Sequence, residues 1–229
     1  MENRIQMALA LVDRARQIRA TIGDHGDPYE DSLLRGEVTV ELRIAVKEIV
    51  DHLRAALDYA AREIAEVSSG GDVTRPVYFP IVQREFDAQD FPSRLGQLVP
   101  GVARSRPDLA GLLASFQAFS SPDNGWLPDL ATLANENKHD QLSVSTREAH
   151  AGTVTTVDGR SEIRFTEAAG RSVSRVGPIL LDSWPAGGEG SFKAFYIRLS
   201  AIDREVLSFL DECITGVDGI LQRVIVSLR

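Results

Sequence analysis

The chain has 229 residues, of which 43% are hydrophobic, and 33 acidic against 25 basic side chains give a formal net charge of −8. This composition is typical of a globular protein, and it disfavours disordered and membrane-spanning classes. The acidic balance argues against binding of extended nucleic acid through a broad basic surface. The single cysteine, Cys213, excludes an internal disulfide and suits a reducing compartment. We therefore expect one cytoplasmic domain over 1–229, with no cofactor and no membrane segment.

The first part of the chain, 1–140, is predicted to be a helical bundle. Apolar residues spaced by three or four positions predict a helix over 2–22 and a long central helix over 42–67. Thr39 is the expected N-cap of the central helix, which should end at the serines and glycines of 68–71. Glycine, aspartate and proline between these two helices predict a connection over 23–36.

Shorter elements are predicted after the central helix. Residues 77–81 form a short apolar extended run, in which a proline favours an edge position or a loop. A short helix is predicted within 86–98, and a second begins near Ser105 and continues to 119. Trp126 begins a further helix that should extend to Lys138.

Beyond residue 141 the apolar period changes from about 3.6 to 2, which indicates β-strands. Asp158 and Gly159 suit a two-residue hairpin turn, and pairing across this turn sets Val154 opposite Ile163. We expect an antiparallel sheet of about four strands within 141–200. The strongest strand signals lie at 153–157, 160–165, 173–181 and 192–199.

The final segment, 201–228, is predicted to be a long closing helix with a strict heptad pattern of apolar residues. Gly216 and Gly219 interrupt its helix propensity, so they should either kink the helix or let another element approach closely. The predicted architecture is thus α+β: a helical bundle around a central helix, then an antiparallel sheet and a closing helix. Because heptad faces also suit self-association, a symmetric homodimer is the expected oligomer.

One candidate ligand-binding pocket lies between the central helix and the helix that begins at Trp126. Arg54 and Asp58 lie one turn apart beside the apolar stripe of the central helix. Asn137 falls on the apolar side of its own helix, where an amide needs a hydrogen-bond partner. Lys138 and His139 follow it directly, so these five side chains would line the predicted pocket.

Other interpretations of the same residues remain open. Arg54 and Asp58 also fit a simple boundary ion pair, and Lys138 and His139 suit the negative end of a helix. Glu48 and His52, at positions i and i+4, have the spacing of two metal ligands, but two ligands do not define a metal site. We therefore predict no metal.

The chain resembles a family of uncharacterised bacterial proteins in three runs: HLRAALD at 52–58, FPI at 79–81 and LATLANENKH at 130–139. The resemblance spans roughly residues 40 to 145, and it implies no established activity. The chain also resembles, more loosely, the HEPN-type helical bundles, many of which are metal-independent ribonucleases. That likeness implies a general acid or base role for His139. The arginine–histidine spacing of HEPN enzymes occurs at Arg19 and His25, but not before His139.

Three function classes follow from these observations. The favoured one is a non-catalytic binding or regulatory module, with a small molecule or another protein as its partner. The first alternative is a HEPN-like ribonuclease with His139 as the catalytic residue. The second alternative is a structural protein–protein interaction module, which should expose an apolar patch.

Overall fold

The computed structural model describes residues 2–22, 27–71, 73–83, 88–135, 142–149, 152–157, 160–166, 172–173 and 192–228. These residues form an α+β protein with a long C-terminal helix, as predicted from the sequence. The chain divides into two compact units. Unit 1 comprises Met1–Arg19, Val46–Lys138 and Phe209–Arg229, and unit 2 comprises Ala20–Ala45 and His139–Ser208. The single domain expected over 1–229 stays a prediction.

Helices make up most of the described chain. They are α1 Glu2–Ala20, α2 Pro28–Arg35, α3 Val40–Ser69, α4 Phe91–Leu98, α5 Val102–Ser105, α6 Pro107–Ser115, α7 Trp126–Asn135 and α8 Val206–Ser227. A single turn of 3-10 helix, Pro122–Gly125, precedes α7. Among the described helices, none combines the length and the apolar character needed to cross a membrane.

The central helix α3 begins and ends where its sequence predicts. The Thr39 hydroxyl accepts a hydrogen bond from the backbone N–H of Leu42 at 3.4 Å, which is the geometry of an N-cap. At the other end, Gly70 adopts a φ of +67°, a left-handed conformation that costs glycine little. The predicted apolar stripe is buried up to Ile64, and Val50 and Leu57 are buried beside it. α3 therefore packs over a wider face than one stripe.

The closing helix α8 confirms one of the two roles expected for its glycines. Apolar heptad residues of α8 are buried, among them Leu210, Val217 and Leu221. The indole of Trp126 lies directly over Gly216, in the space that a β-carbon would occupy. Gly219 has nothing within 4 Å of the same position. Gly216 therefore lets the indole of Trp126 approach α8 closely, whereas Gly219 makes no such contact.

The strands belong to unit 2 and pair antiparallel throughout the described ranges. They are β1 Leu142–Ala149, β2 Gly152–Val157, β3 Arg160–Thr166, β4 Ser172–Val173, β5 Phe192–Leu199 and β6 Arg204–Glu205. They form two three-stranded sheets, ordered β1-β5-β6 and β2-β3-β4, where the sequence predicted one sheet. Val154 pairs with Ile163, which confirms the predicted hairpin register. Of the strand predicted at 173–181, the part after Val173 lies outside the described residues.

Helix α2 occupies the segment that the sequence analysis interpreted as a connection, so that interpretation was wrong. Its buried Tyr29 fastens it to the rest of unit 2. The Tyr29 hydroxyl donates to Glu205 Oε1 at 3.0 Å and accepts from the backbone N–H of Ile197 at 3.3 Å. The Glu205 carboxylate also accepts from the N–H groups of Leu207 and Ser208, the second and third residues of α8. One carboxylate therefore both caps a helix and anchors α2.

Candidate functional site

The described part of the predicted pocket, Arg54 and Asp58, makes contacts that hold the fold. Arg54 Nε donates to Asp58 Oδ2 at 3.3 Å, and the second oxygen of Asp58 accepts from the backbone N–H of Phe79 at 2.8 Å. The carboxylate thus fixes the extended run after α3 against the helix. Burial raises the pKa of the Asp58 carboxyl, although Arg54 and the Phe79 N–H favour its charged form.

Gln117 holds the same extended run through hydrogen bonds to Pro80 and Val82. Its fully buried amide donates to the carbonyl oxygens of Pro80 and Leu113, at 2.8 and 2.9 Å. Its oxygen accepts from the backbone N–H of Val82 at 3.2 Å. An extended segment that pairs with none of the described strands has backbone groups satisfied in this way by two side chains, Asp58 and Gln117.

The remaining candidates of the predicted pocket, Asn137, Lys138 and His139, lie outside the described residues. Their convergence with Arg54 and Asp58 therefore stays a prediction, and so does the ribonuclease role of His139.

Three of the other candidate residues named in the sequence lie within the described chain, namely Arg19, Glu48 and His52. Arg19 forms an ion pair with Asp211 at 2.7 Å, whereas His25 lies outside the described residues. Glu48 is exposed and His52 is half-buried. Within the described ranges, no group of three or more His, Cys, Asp or Glu side chains is arranged to hold a metal ion.

A cleft that the sequence analysis did not predict lies in unit 2, between α2 and the start of α3. It has a volume of about 380 Å³ and is open to solvent. We call it the α2–α3 cleft; its lining residues are Asp27, Pro28, Glu30, Asp31, Leu34, Arg35, Thr39 and Glu41.

Asp27 is the most buried carboxylate of the α2–α3 cleft, with 9% of its surface exposed. Its Oδ1 is the N-cap of α2, because it accepts from the backbone N–H groups of Tyr29 and Glu30 at 2.8 and 3.0 Å. Its Oδ2 is buried and has no hydrogen-bond partner in the described part of the chain. One oxygen of this carboxylate is therefore used by the fold, and the other is not.

A hydrogen-bonded corner fixes the two helices that line the cleft. The Ser32 hydroxyl donates to the carbonyl of Pro28 at 2.6 Å and lies 3.1 Å from the Thr39 hydroxyl. It also accepts from the Thr39 backbone N–H at 3.0 Å. Because Ser32 and Thr39 are buried, these bonds are shielded from water and should hold the cleft rigidly.

The cleft has an excess of negative charge. The carboxylates of Asp27, Glu30, Asp31 and Glu41 line it together with one guanidinium, that of Arg35. Arg35 Nε donates to Asp31 Oδ1 at 2.9 Å, so its charge is largely offset within the pair. Asp27 caps α2 and the other three carboxylates lie in the first turns of α2 and α3, where the positive ends of the helix dipoles stabilise them and offset part of their charge. The arrangement suits a positively charged ligand.

No model of a protein family, no curated protein and no solved structure matches this chain. The resemblances to the uncharacterised bacterial family and to HEPN-type bundles therefore stay predictions.

Proposed function

We propose that this chain is a cytoplasmic, non-catalytic binding module whose ligand carries a positive charge and occupies the α2–α3 cleft. The observation that supports the proposal is the buried Oδ2 of Asp27, which has no hydrogen-bond partner among the described residues. A buried polar atom without a partner costs about 1–3 kcal/mol, and more when it is charged. Because this oxygen is buried, a cationic ligand would supply the missing donor and recover this cost once the cleft wall shifts to admit it.

The proposal retains the binding class expected from the sequence and assigns it to a different part of the chain. Arg54 and Asp58 are engaged with each other and with a backbone group, whereas Asp27 has an oxygen to spare. The cleft volume of about 380 Å³ lies in the range of about 300–1,000 Å³ that is typical of ligand sites. It fits a small organic cation, or a single cationic side chain, with the exposed Leu34 beside its hydrocarbon part.

The test compares arginine methyl ester with citrulline methyl ester, in which a neutral urea replaces the charged guanidinium, by isothermal titration calorimetry at low ionic strength. We expect the arginine ester to bind and the citrulline ester to bind at least tenfold more weakly, since a charge-assisted hydrogen bond contributes about 1.5–3 kcal/mol. Equal binding of both esters, or binding of neither, would refute the proposal.

Asp27→Asn is the informative variant, because an asparagine oxygen still caps α2 while the negative charge is removed. We expect it to lose at least tenfold in affinity for the arginine ester with little change in thermal stability. Glu48→Gln is the matched control: it removes the same charge from an exposed position on α3 that does not line the cleft. If both variants lose affinity equally, binding reflects overall charge and the proposed site is wrong.

A further inference from the structure

Exposed apolar side chains lie beside the acidic cleft. Leu34 lines the cleft and is 63% exposed, and Val40 and Ile44 on α3 are 64% and 52% exposed. Val40 and Ile44 lie one helical turn apart on the same face of α3. We call these three residues the apolar strip. Such a group of large apolar side chains next to a charged site is typical of a protein-binding surface.

The α2–α3 cleft and the apolar strip adjoin each other, because Leu34 belongs to both. Glu41, a cleft carboxylate, lies three positions before Ile44 and is therefore its neighbour on the helix surface. At a rise of about 1.5 Å per residue, the two positions are about 4.5 Å apart along the helix axis. An extended peptide, at about 3.3 Å per residue, spans this distance within two residues. A basic residue and an apolar residue two positions apart would therefore reach both features.

We infer that the partner of this chain is a basic segment of another protein, which inserts an arginine or lysine side chain into the α2–α3 cleft and lays an apolar side chain on the apolar strip. The inference rests on the proposed function and adds the kind of partner. Charge complementarity favours the basic side chain, because the lining carboxylates outnumber the guanidinium of Arg35. A free small cation would pair with the cleft carboxylates and lie beside Leu34, but it would leave Val40 and Ile44 in water.

The test uses fluorescein-labelled pentapeptides and fluorescence polarisation. The first peptide has arginine and leucine two positions apart among glycines; the second has serine for the leucine, and the third has citrulline for the arginine. We expect the first to bind at least fivefold more tightly than the second and at least tenfold more tightly than the third. Equal binding of the first and second peptides would overturn the inference.

Ile44→Ser is the informative variant, because Ile44 is exposed and its replacement leaves the core intact. It should lower the affinity for the first peptide at least fivefold, to that of the serine peptide. The affinity for arginine methyl ester should not change. Met7→Ser, which replaces an exposed apolar residue of α1 in unit 1, is the control and should change neither affinity. Circular dichroism melts confirm that each variant is folded.

The outcomes separate the inference from the proposed function. If the arginine ester binds in an Asp27-dependent way while Ile44→Ser leaves peptide binding unchanged, the partner surface is wrong and the cationic site stands. Tighter binding of spermidine than of any peptide would also overturn the inference, because it would identify a free polyamine as the preferred ligand. If neither the ester nor the peptides bind, both proposals fail.

Discussion

Replacing Gly216 by alanine is a direct test of how α8 packs in unit 1. A β-carbon at this position would lie 2.2, 2.4 and 2.8 Å from the Cζ2, Cε2 and Cη2 atoms of Trp126. Carbon atoms in contact are normally about 3.5–4.0 Å apart. Either the indole or the helix must therefore move by more than 1 Å, a shift estimated from that normal separation.

The size of the effect follows from two opposing contributions. Trp126 is buried, so moving its ring disturbs packing on several sides, and overpacking of this kind costs about 1–3 kcal/mol or more. Alanine in a helix interior gains about 1 kcal/mol over glycine. Because the overlap with three ring atoms is severe, we expect a net loss of about 2 kcal/mol in the free energy of unfolding of Gly216→Ala.

The assay is urea denaturation followed by circular dichroism, with Gly219→Ala as the matched control on the same helix. A β-carbon at Gly219 meets nothing within 4 Å, so this variant should gain up to about 1 kcal/mol from helix propensity alone. The two variants should therefore differ by about 3 kcal/mol, which is the packing cost alone because both variants gain the same helix propensity. If both variants are stabilised to the same extent, Trp126 does not pack on Gly216.

Two further predictions concern buried polar groups of unit 1. Gln117→Leu should lower the free energy of unfolding by about 2–5 kcal/mol, since it leaves buried backbone groups of the 80–82 run unpaired. A loss below about 1 kcal/mol in urea denaturation would show that the Gln117 hydrogen bonds do not hold this run. Burial raises the pKa of the Glu63 carboxyl. The folded state therefore keeps this proton to a higher pH than the unfolded state does. As a result, the contribution of Glu63 to stability falls as the pH rises above about 4.3. Glu63→Gln should therefore be more stable than the wild type at pH 7 and equal to it below about pH 4; the same difference at both pH values would refute this assignment.

The parts of the fold that depend on local patterns could be predicted from the sequence. The apolar stripe of α3 and its Thr39 cap are helical signals within a few residues, and the register of β2 against β3 follows from a single Asp-Gly pair in the sequence. The contact between Asp58 and the Phe79 N–H joins residues 21 positions apart. No local period encodes such a pair, so the structural role of Asp58 could not be inferred from the sequence.

The α2–α3 cleft was missed because α2 is short and its signals are ambiguous. Asp27, Pro28 and Gly36 are typical turn residues, yet an aspartate before a proline and a glycine eight positions later also mark the two ends of a helix. The structure has this second arrangement: Asp27 caps the helix, and Gly36 follows it with a φ of +71°. A helix of 8 residues gives too few turns for its periodicity to decide between the two interpretations.

The hydrogen bond between Tyr29 and Glu205 joins residues 176 positions apart, and it has a consequence for synthesis on the ribosome. Helix α2, with the cleft it lines, cannot be anchored until Glu205 has emerged, so the early segment must wait while most of the chain is translated. The same holds for unit 1, which needs Phe209–Arg229 to be complete. Because the chain passes back and forth between the units, a protease cutting at one site cannot release either unit as a single uninterrupted fragment.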